Sequence, residues 1–179
     1  MLTDEDLMRK LGDLSIETVM LSHQPLMTVE DQNTQKHLSH GAHSKNLFLK
    51  DKFNKLWMIT ALDTTSIDLK SAAQQLGANK FSFAKPAEML DTLGITPGSV
   101  SPFALLNDRS NLVTFVLEKR MLAYSHQNFH PLRNDRTVTI ATADFLAFLK
   151  SIAHEPILLD TTSLGADSAR NEAQPQTLS

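Results

Sequence analysis

The apolar residues of this 179-residue chain come in short runs, about ten residues or fewer, each stopped by glycine, proline or a cluster of Asn, Asp and Ser. A membrane-spanning helix needs about 20 such residues in a row, so none is expected. Runs this short fold either as strands or as helices of two or three turns. Alternation of apolar and polar residues marks strands at Ile16–Leu21, Phe81–Phe83, Leu112–Leu117 and Thr137–Ala141. Asn46–Asp51 and Lys55–Ala61 alternate in the same way around the turn Asp51, Lys52, Phe53, Asn54, which predicts a hairpin. Helix signals lie between the strands. Thr3 before Asp4, Glu5 and Asp6 opens one, and Thr28 with Asp31 opens a second that runs to about Leu38. Asp68–Leu76 is closed by Gly77, and Pro86–Leu93 by Gly94. Thr142 is expected to cap a last helix with Phe145, Leu146, Phe148, Leu149 and Ile152 on its apolar side. Strands and helices mixed without strict alternation predict an α+β fold around a mixed, mostly antiparallel sheet.

A chain of this size with 41% hydrophobic residues suits one domain, placed here at 1–158. Residues 159–179 turn to Thr, Ser, Ala, Asn, Gln and Pro and are expected to form a disordered tail. There is no cysteine, which excludes disulfides, thiolate nucleophiles and Cys-ligated metals. The acidic, amphipathic start is unlike a secretory leader, and a cytoplasmic protein is expected. The net charge of −3 hides an uneven distribution. Residues 1–35 sum to −5, residues 36–85 to +5, residues 86–159 to −1 and residues 160–179 to −2. A basic central block in a mildly acidic chain suits recognition of one anionic feature rather than indiscriminate binding of nucleic acid.

His37, His40 and His43 stand at three-residue spacing, but Gly41 breaks any helix there and no HExxH pattern follows. They are read as helix-end and loop histidines, and no metal or other cofactor is expected. Neither a G-x-S-x-G elbow nor a phosphate-cradling G-x-x-x-x-G-K-S/T loop is present. Two segments need a cause. In Gly41-Ala42-His43-Ser44-Lys45-Asn46-Leu47-Phe48-Leu49 a lysine and an asparagine stand at the mouth of a hydrophobic strand, where Lys45 can offer a fixed charge to a phosphate or carboxylate. In Gly94-Ile95-Thr96-Pro97-Gly98-Ser99-Val100-Ser101-Pro102-Phe103 two glycines and two prolines fix a loop whose N–H groups can face an oxyanion, or which simply connects two elements.

These segments, with His130-Pro131-Leu132-Arg133-Asn134-Asp135 and Thr137 further on, resemble the YbaK/ProRS-associated editing-domain family of aminoacyl-tRNA deacylases, in particular its freestanding ProX-type branch. The matching stretches are GAHSKNLFLKDK at 41–52, LGITPGSVSPFALLND at 93–108 and HPLRND at 130–135, and the likeness covers about Leu2 to Ile152. The resemblance implies a partly barrel-like sheet surrounded by helices. It also implies hydrolysis of the ester joining a wrong amino acid to the terminal adenosine of a tRNA, with alanine on the proline tRNA as substrate. It assigns Lys45 to the 3′ end of the tRNA, Asn46 to the site, and the G-x-x-x-P loop to Gly98, Ser99, Val100, Ser101 and Pro102, with Phe103 following. His130 lines the pocket. The implied partners are the acceptor end of the proline tRNA and, further, prolyl-tRNA synthetase; freestanding relatives are monomers.

The residue chemistry suits that role. An aminoacyl ester is already activated, so a positioned water and an oxyanion site are enough, each well-aimed donor contributing a few kcal/mol. The water's proton can pass to His130 or to the neighbouring ribose hydroxyl; Pro131 after His130 favours the hydroxyl. A tight pocket admits alanine and rejects proline, since overpacking costs about 1–3 kcal/mol. Alternatives are a deacylase for cysteine or serine on another tRNA, a noncatalytic tRNA- or synthetase-binding module, and a domain whose lysines are solvated surface.

Overall fold

The computed structural model describes residues 1–25 and 39–164. The helix expected at Thr28–Leu38, and with it His37, lies outside the described residues. Four α-helices are described: α1 (Asp4–Asp13), α2 (Leu69–Gln75), α3 (Pro86–Leu93) and α4 (Thr142–Ser151). The strands are β1 (Thr18–Ser22), β2 (Ala42–Lys50), β3 (Leu56–Leu62), β4 (Ser82–Phe83), β5 (Val113–Glu118), β6 (His126–Phe129), β7 (Arg136–Ala141) and β8 (Ile157–Leu159). They form one mixed, open sheet in the order β1-β7-β6-β2-β3-β5-β8, with β4 paired to β2. The pairs β1–β7, β6–β7, β2–β3 and β2–β4 are antiparallel, and β2–β6, β3–β5 and β5–β8 are parallel. No described helix is long and apolar enough to cross a membrane.

Local chemistry sets the elements. Thr3 accepts from Asp6 N–H while the Asp6 carboxylate accepts from Thr3 N–H, which closes a capping box on α1. In the hairpin turn the buried Asp51 carboxylate accepts from the N–H groups of Phe53 and Lys55 and from Trp57 Nε1, and Asn54 takes φ +63°. Gly94 ends α3 in the left-handed conformation. Thr142 does not cap α4: Ala141 holds that position, and the Thr142 hydroxyl instead donates to Tyr124 O and accepts from Gln127 Nε2.

Alternation along β2 and β3 feeds two cores. Phe48 and Met58 turn to one face, where Phe103 lies edge-on to Phe129, Phe145 and Phe148 beneath α1 and α4. Leu49, Trp57 and Ile59 turn to the other, against Ala72 and Ala73 of α2 and against Leu159 and Leu164. The packed chain therefore continues past the expected boundary at 158: β8 joins the sheet, and the turn Thr162–Leu164 buries Leu164.

Candidate active site

The sheet changes partners along β2, and the candidate site lies where it does so. Ala42 and His43 pair with Gln127 and Asn128 of β6. Leu49 and Lys50 pair with Phe83 and Ser82 of β4, and Ala84 N–H donates to Phe48 O. Between these pairings residues 44–47 have a strand partner on one side only, β3, among the described residues. Such an open edge offers backbone donors and acceptors to a ligand. Lys45 and Asn46 sit in the middle of this gap, inside the strand rather than at its mouth, and as successive strand residues they leave opposite faces. Gly41 directly precedes β2 at φ +92°, and a Cβ there would stand 2.5 Å from His126 O, so only glycine lets β2 reach β6.

On one face Asn46 Nδ2 donates to Val100 O at 3.1 Å, and its Oδ1 accepts from the buried Thr60 hydroxyl at 2.6 Å. The asparagine thus ties the gap to the glycine-proline loop. That loop turns at Gly98 (φ +93°), and Ser99 N–H closes the turn on Thr96 O at 3.1 Å. No backbone carbonyl among the described residues accepts from the N–H groups of Gly98, Val100 or Ser101. Ser101 and Pro102 are buried, and the Ser101 hydroxyl accepts from Phe103 N–H to cap the short 3-10 turn Pro102–Asn107. Phe103, expected at the substrate, is instead 0% exposed in the aromatic core and holds the loop from beneath. Its place directly after the G-x-x-x-P loop suggested the substrate, while its neighbours in space were invisible in the sequence.

On the other face Lys45 Nζ donates to Thr65 O. Burial pushes the Lys45 ammonium below the usual lysine range, and the charges of Glu118 and Asp63 act against this. Glu118 at the end of β5 is fully buried and accepts from Leu62 N–H, the hydroxyls of Thr65 and Thr161, and Arg120 Nε. Burial alone would raise its carboxyl, but these donors outweigh it and hold Glu118 below the usual range. Sequence reasoning missed this group. The available signal was an acid ending the apolar strand Val113-Thr114-Phe115-Val116-Leu117-Glu118.

Continuing the β2–β6 register from His43 opposite Asn128 carries Lys45 level with His130, where β6 has ended and Pro131 turns the chain away. Burial lowers the His130 pKa and the His23 ring adds to this, against a bond to Arg136 O and the charge of Asp135, so the ring is neutral at pH 7. Its Nδ1 lies 2.9 Å from Arg136 O, and a carbonyl only accepts, so the proton sits on Nδ1 and Nε2 keeps its lone pair. The His23 ring lies 6.2 Å away and bonds the Thr137 hydroxyl through Nε2. Asn134 brings the chain after His130 back to the loop, its Nδ2 standing 3.9 Å from where a Cβ would sit on Gly98. The structure therefore joins Asn46 to the Gly98–Pro102 loop and sets Asn134, from the chain after His130, beside Gly98, while Lys45 leaves the other face of β2 toward Thr65. Of the histidine triplet, His40 meets His126 edge-on with ring centroids 4.5 Å apart, and His43 lies in β2.

Residues 23–148 match the aminoacyl-tRNA editing domain family. The chain is 40% identical over 159 residues to a Bos taurus protein named prolyl-tRNA synthetase associated domain-containing protein 1, covering 85% of this chain and 91% of the relative. It is 32% identical over 143 residues to the prolyl-tRNA editing protein ProX of Acetoanaerobium sticklandii, covering 79% and 87%. Its fold is similar to a crystal structure described as a candidate trans-editing enzyme for prolyl-tRNA synthetase, with a TM-score of 0.64, 16% identity and coverage of 86% and 94%.

Proposed function

The chain belongs to the aminoacyl-tRNA editing domain family, and from that premise we propose that it is a trans-editing deacylase of the prolyl-tRNA system, hydrolysing the ester of alanine mischarged on the proline tRNA. The names of its relatives support the prolyl system. The observation that carries the catalytic reading is the Asn46 bridge between the open edge of β2 and the Gly98–Pro102 loop, with Asn134 of the segment after His130 beside Gly98.

The terminal adenosine enters the opening, and Lys45 offers its charge to a phosphate or ribose oxygen of the 3′ end. Water attacks the ester carbonyl carbon, and the N–H groups of Gly98, Val100 and Ser101 face the oxygen that gains the negative charge. His130 Nε2 accepts a hydrogen bond from the water, and the neighbouring ribose hydroxyl relays its proton to the departing ribose oxygen as the ester C–O bond breaks. The products are free alanine and uncharged tRNA. The loop, exposed at Pro97 and Gly98 but anchored by the buried Ser99, Ser101 and Pro102 and by Phe103 below, resists the wider ring of proline, while alanine enters.

Single-turnover deacylation of alanyl- and prolyl-proline tRNA by the wild type and by Lys45→Ala tests the reading. Rapid loss of alanine alone is expected, slowed about 100-fold or more in the variant, the scale of removing one site donor. Hydrolysis of neither ester overturns it. Cysteinyl- and seryl-tRNAs then test another substrate, and salt-dependent tRNA binding without turnover identifies a binding module.

A further inference from the structure

Arg120 lies outside every stretch that carried the family resemblance. Its guanidinium is held along its inner edge: Nε donates to the buried Glu118 at 2.7 Å and Nη2 donates to the Thr65 hydroxyl at 2.7 Å. The side chain is nevertheless 50% exposed, and its Nη1 has no hydrogen bond or ion pair among the described residues. Leu62 N–H, Thr65 and Thr161 fill three of the roughly four acceptor positions of the buried carboxylate and Arg120 Nε fills the last, so the arginine balances this charge with its inner edge alone and leaves its outer edge free. What the arrangement produces is a fork fixed in direction, its conformational freedom lost in advance of any ligand.

Thr65 places this fork beside the proposed anchor. Its hydroxyl accepts from Arg120 and its carbonyl from Lys45, so one residue carries both cations. A hydrogen bond from each cation to this one residue keeps the two charges within roughly 10 Å of each other. Two cations held this close can share one phosphodiester or bind neighbouring phosphates of a single strand.

We propose that Arg120 is a phosphate-binding residue that works with Lys45, gripping a backbone phosphate next to the terminal adenosine of the tRNA. The inference rests on the editing function proposed above and adds to it a second cation, supplied by the segment after β5. Lys45 acts as a point charge beside the reacting ester, and Arg120 fixes the strand through its free outer edge.

The test compares the wild type, Arg120→Gln and Arg120→Lys in two measurements. In the first, uncharged proline tRNA is titrated at several salt concentrations. Arg120→Gln is expected to weaken binding about tenfold and to reduce the slope of log K against log salt by about one, whereas Arg120→Lys keeps the slope. In the second, deacylation of alanyl-tRNA is compared with that of the alanyl ester of adenosine, which has no phosphate. The loss in Arg120→Gln is expected to fall on KM and to be about tenfold greater for the tRNA than for the nucleoside ester. An unchanged salt slope, or equal losses on the two esters, overturns the proposal and leaves Arg120 as a support for Thr65. Thermal unfolding checks each variant, and Arg120→Lys decides through its KM for the tRNA, expected to rise several-fold, if Arg120→Gln does not fold. If the wild type hydrolyses no mischarged tRNA, the editing function fails while the salt titration still decides the role of Arg120.

Discussion

Asn46 joins the sheet to the loop, and separating its two hydrogen bonds tests whether it works by holding that loop. Asn46→Ala removes the 3.1 Å bond to Val100 O and leaves the fully buried Thr60 hydroxyl without its 2.6 Å acceptor. Two neutral bonds and one stranded hydroxyl amount to about 2–4 kcal/mol. Thr60→Val replaces the hydroxyl by a methyl of similar size and removes only the inner bond, leaving Asn46 free to rotate away from the loop, at a cost of about 1 kcal/mol. With a urea dependence of about 2 kcal/mol per molar, the unfolding midpoints fall by about 1–2 M and 0.5 M respectively. The double variant is expected to fall short of the summed losses by about 1 kcal/mol, the coupling of residues in direct contact. Thr60 lies behind Asn46 in the sheet, yet if the bridge positions the loop, Thr60→Val slows single-turnover deacylation about tenfold, since small displacements of catalytic groups are costly. Wild-type stability and rate in Thr60→Val would refute the reasoning, and additive losses in the double variant would refute the coupling.

Two glycines with similar dihedral angles are expected to respond differently. Gly41→Ala drives a Cβ to 2.5 Å from His126 O and is expected to cost more than about 3 kcal/mol, seen as a loss of soluble folded protein, whereas Gly98→Ala meets nothing closer than 3.9 Å and costs about 1–2 kcal/mol through φ +93° alone, with a larger effect on deacylation than on thermal unfolding. His130 has a lowered pKa in the fold, so below the ordinary histidine range near pH 6.5 the unfolded chain takes up a proton that the folded chain resists; stability is full above that range and falls as pH drops through it, and His130→Phe is expected to remove this step from a pH series of urea titrations. Glu118 is also held below its ordinary value, so its contribution is present above the ordinary carboxylate range and is lost as pH falls through the folded pKa. Glu118→Gln is therefore expected to be destabilised at pH 7, with a gap from the wild type that narrows in acid when followed by circular dichroism.

The parts of the fold legible in the sequence are those decided by local chemistry. Asp51 with Asn54 marks the β2–β3 hairpin, Thr3 and Asp6 mark α1, and Gly94 ends α3 where the backbone requires it. Strand β6 carries no strand signal, because His126, Gln127 and Asn128 are polar in succession. Gln127 and Asn128 are buried, with Gln127 donating to Met121 O and Asn128 to His40 O and Ala42 O, partners 6 to 88 residues away. Strand β8 was hidden by its length, three residues that pair only because β5 is already in place. The site divides in the same way. Lys45, Asn46 and the loop were legible as motifs, but their separation onto two faces depends on where β2 changes partner. Thr60, Thr65, Glu118 and Arg120 carry no motif, and they enter the site only through bonds between distant segments.

That change of partner explains how the proposed ester-hydrolysing site can form without a strong nucleophile. A strand paired on both sides has no backbone groups left for a ligand and no room beside it. Along β2, pairing to β6 ends at His43 and pairing to β4 begins only at Leu49, so the gap is fixed at both ends by hydrogen bonds and cannot close. The two cores then hold the two faces of this gap: Phe103 fixes the loop that Asn46 bonds, and the network around Glu118 fixes Thr65 and with it Lys45. Each wall is positioned by packing that a ligand does not disturb. In the proposed reaction little reorganisation is then left to occur as charge develops on the ester, and for an already activated ester this preorganisation is the main catalytic contribution the protein needs to make.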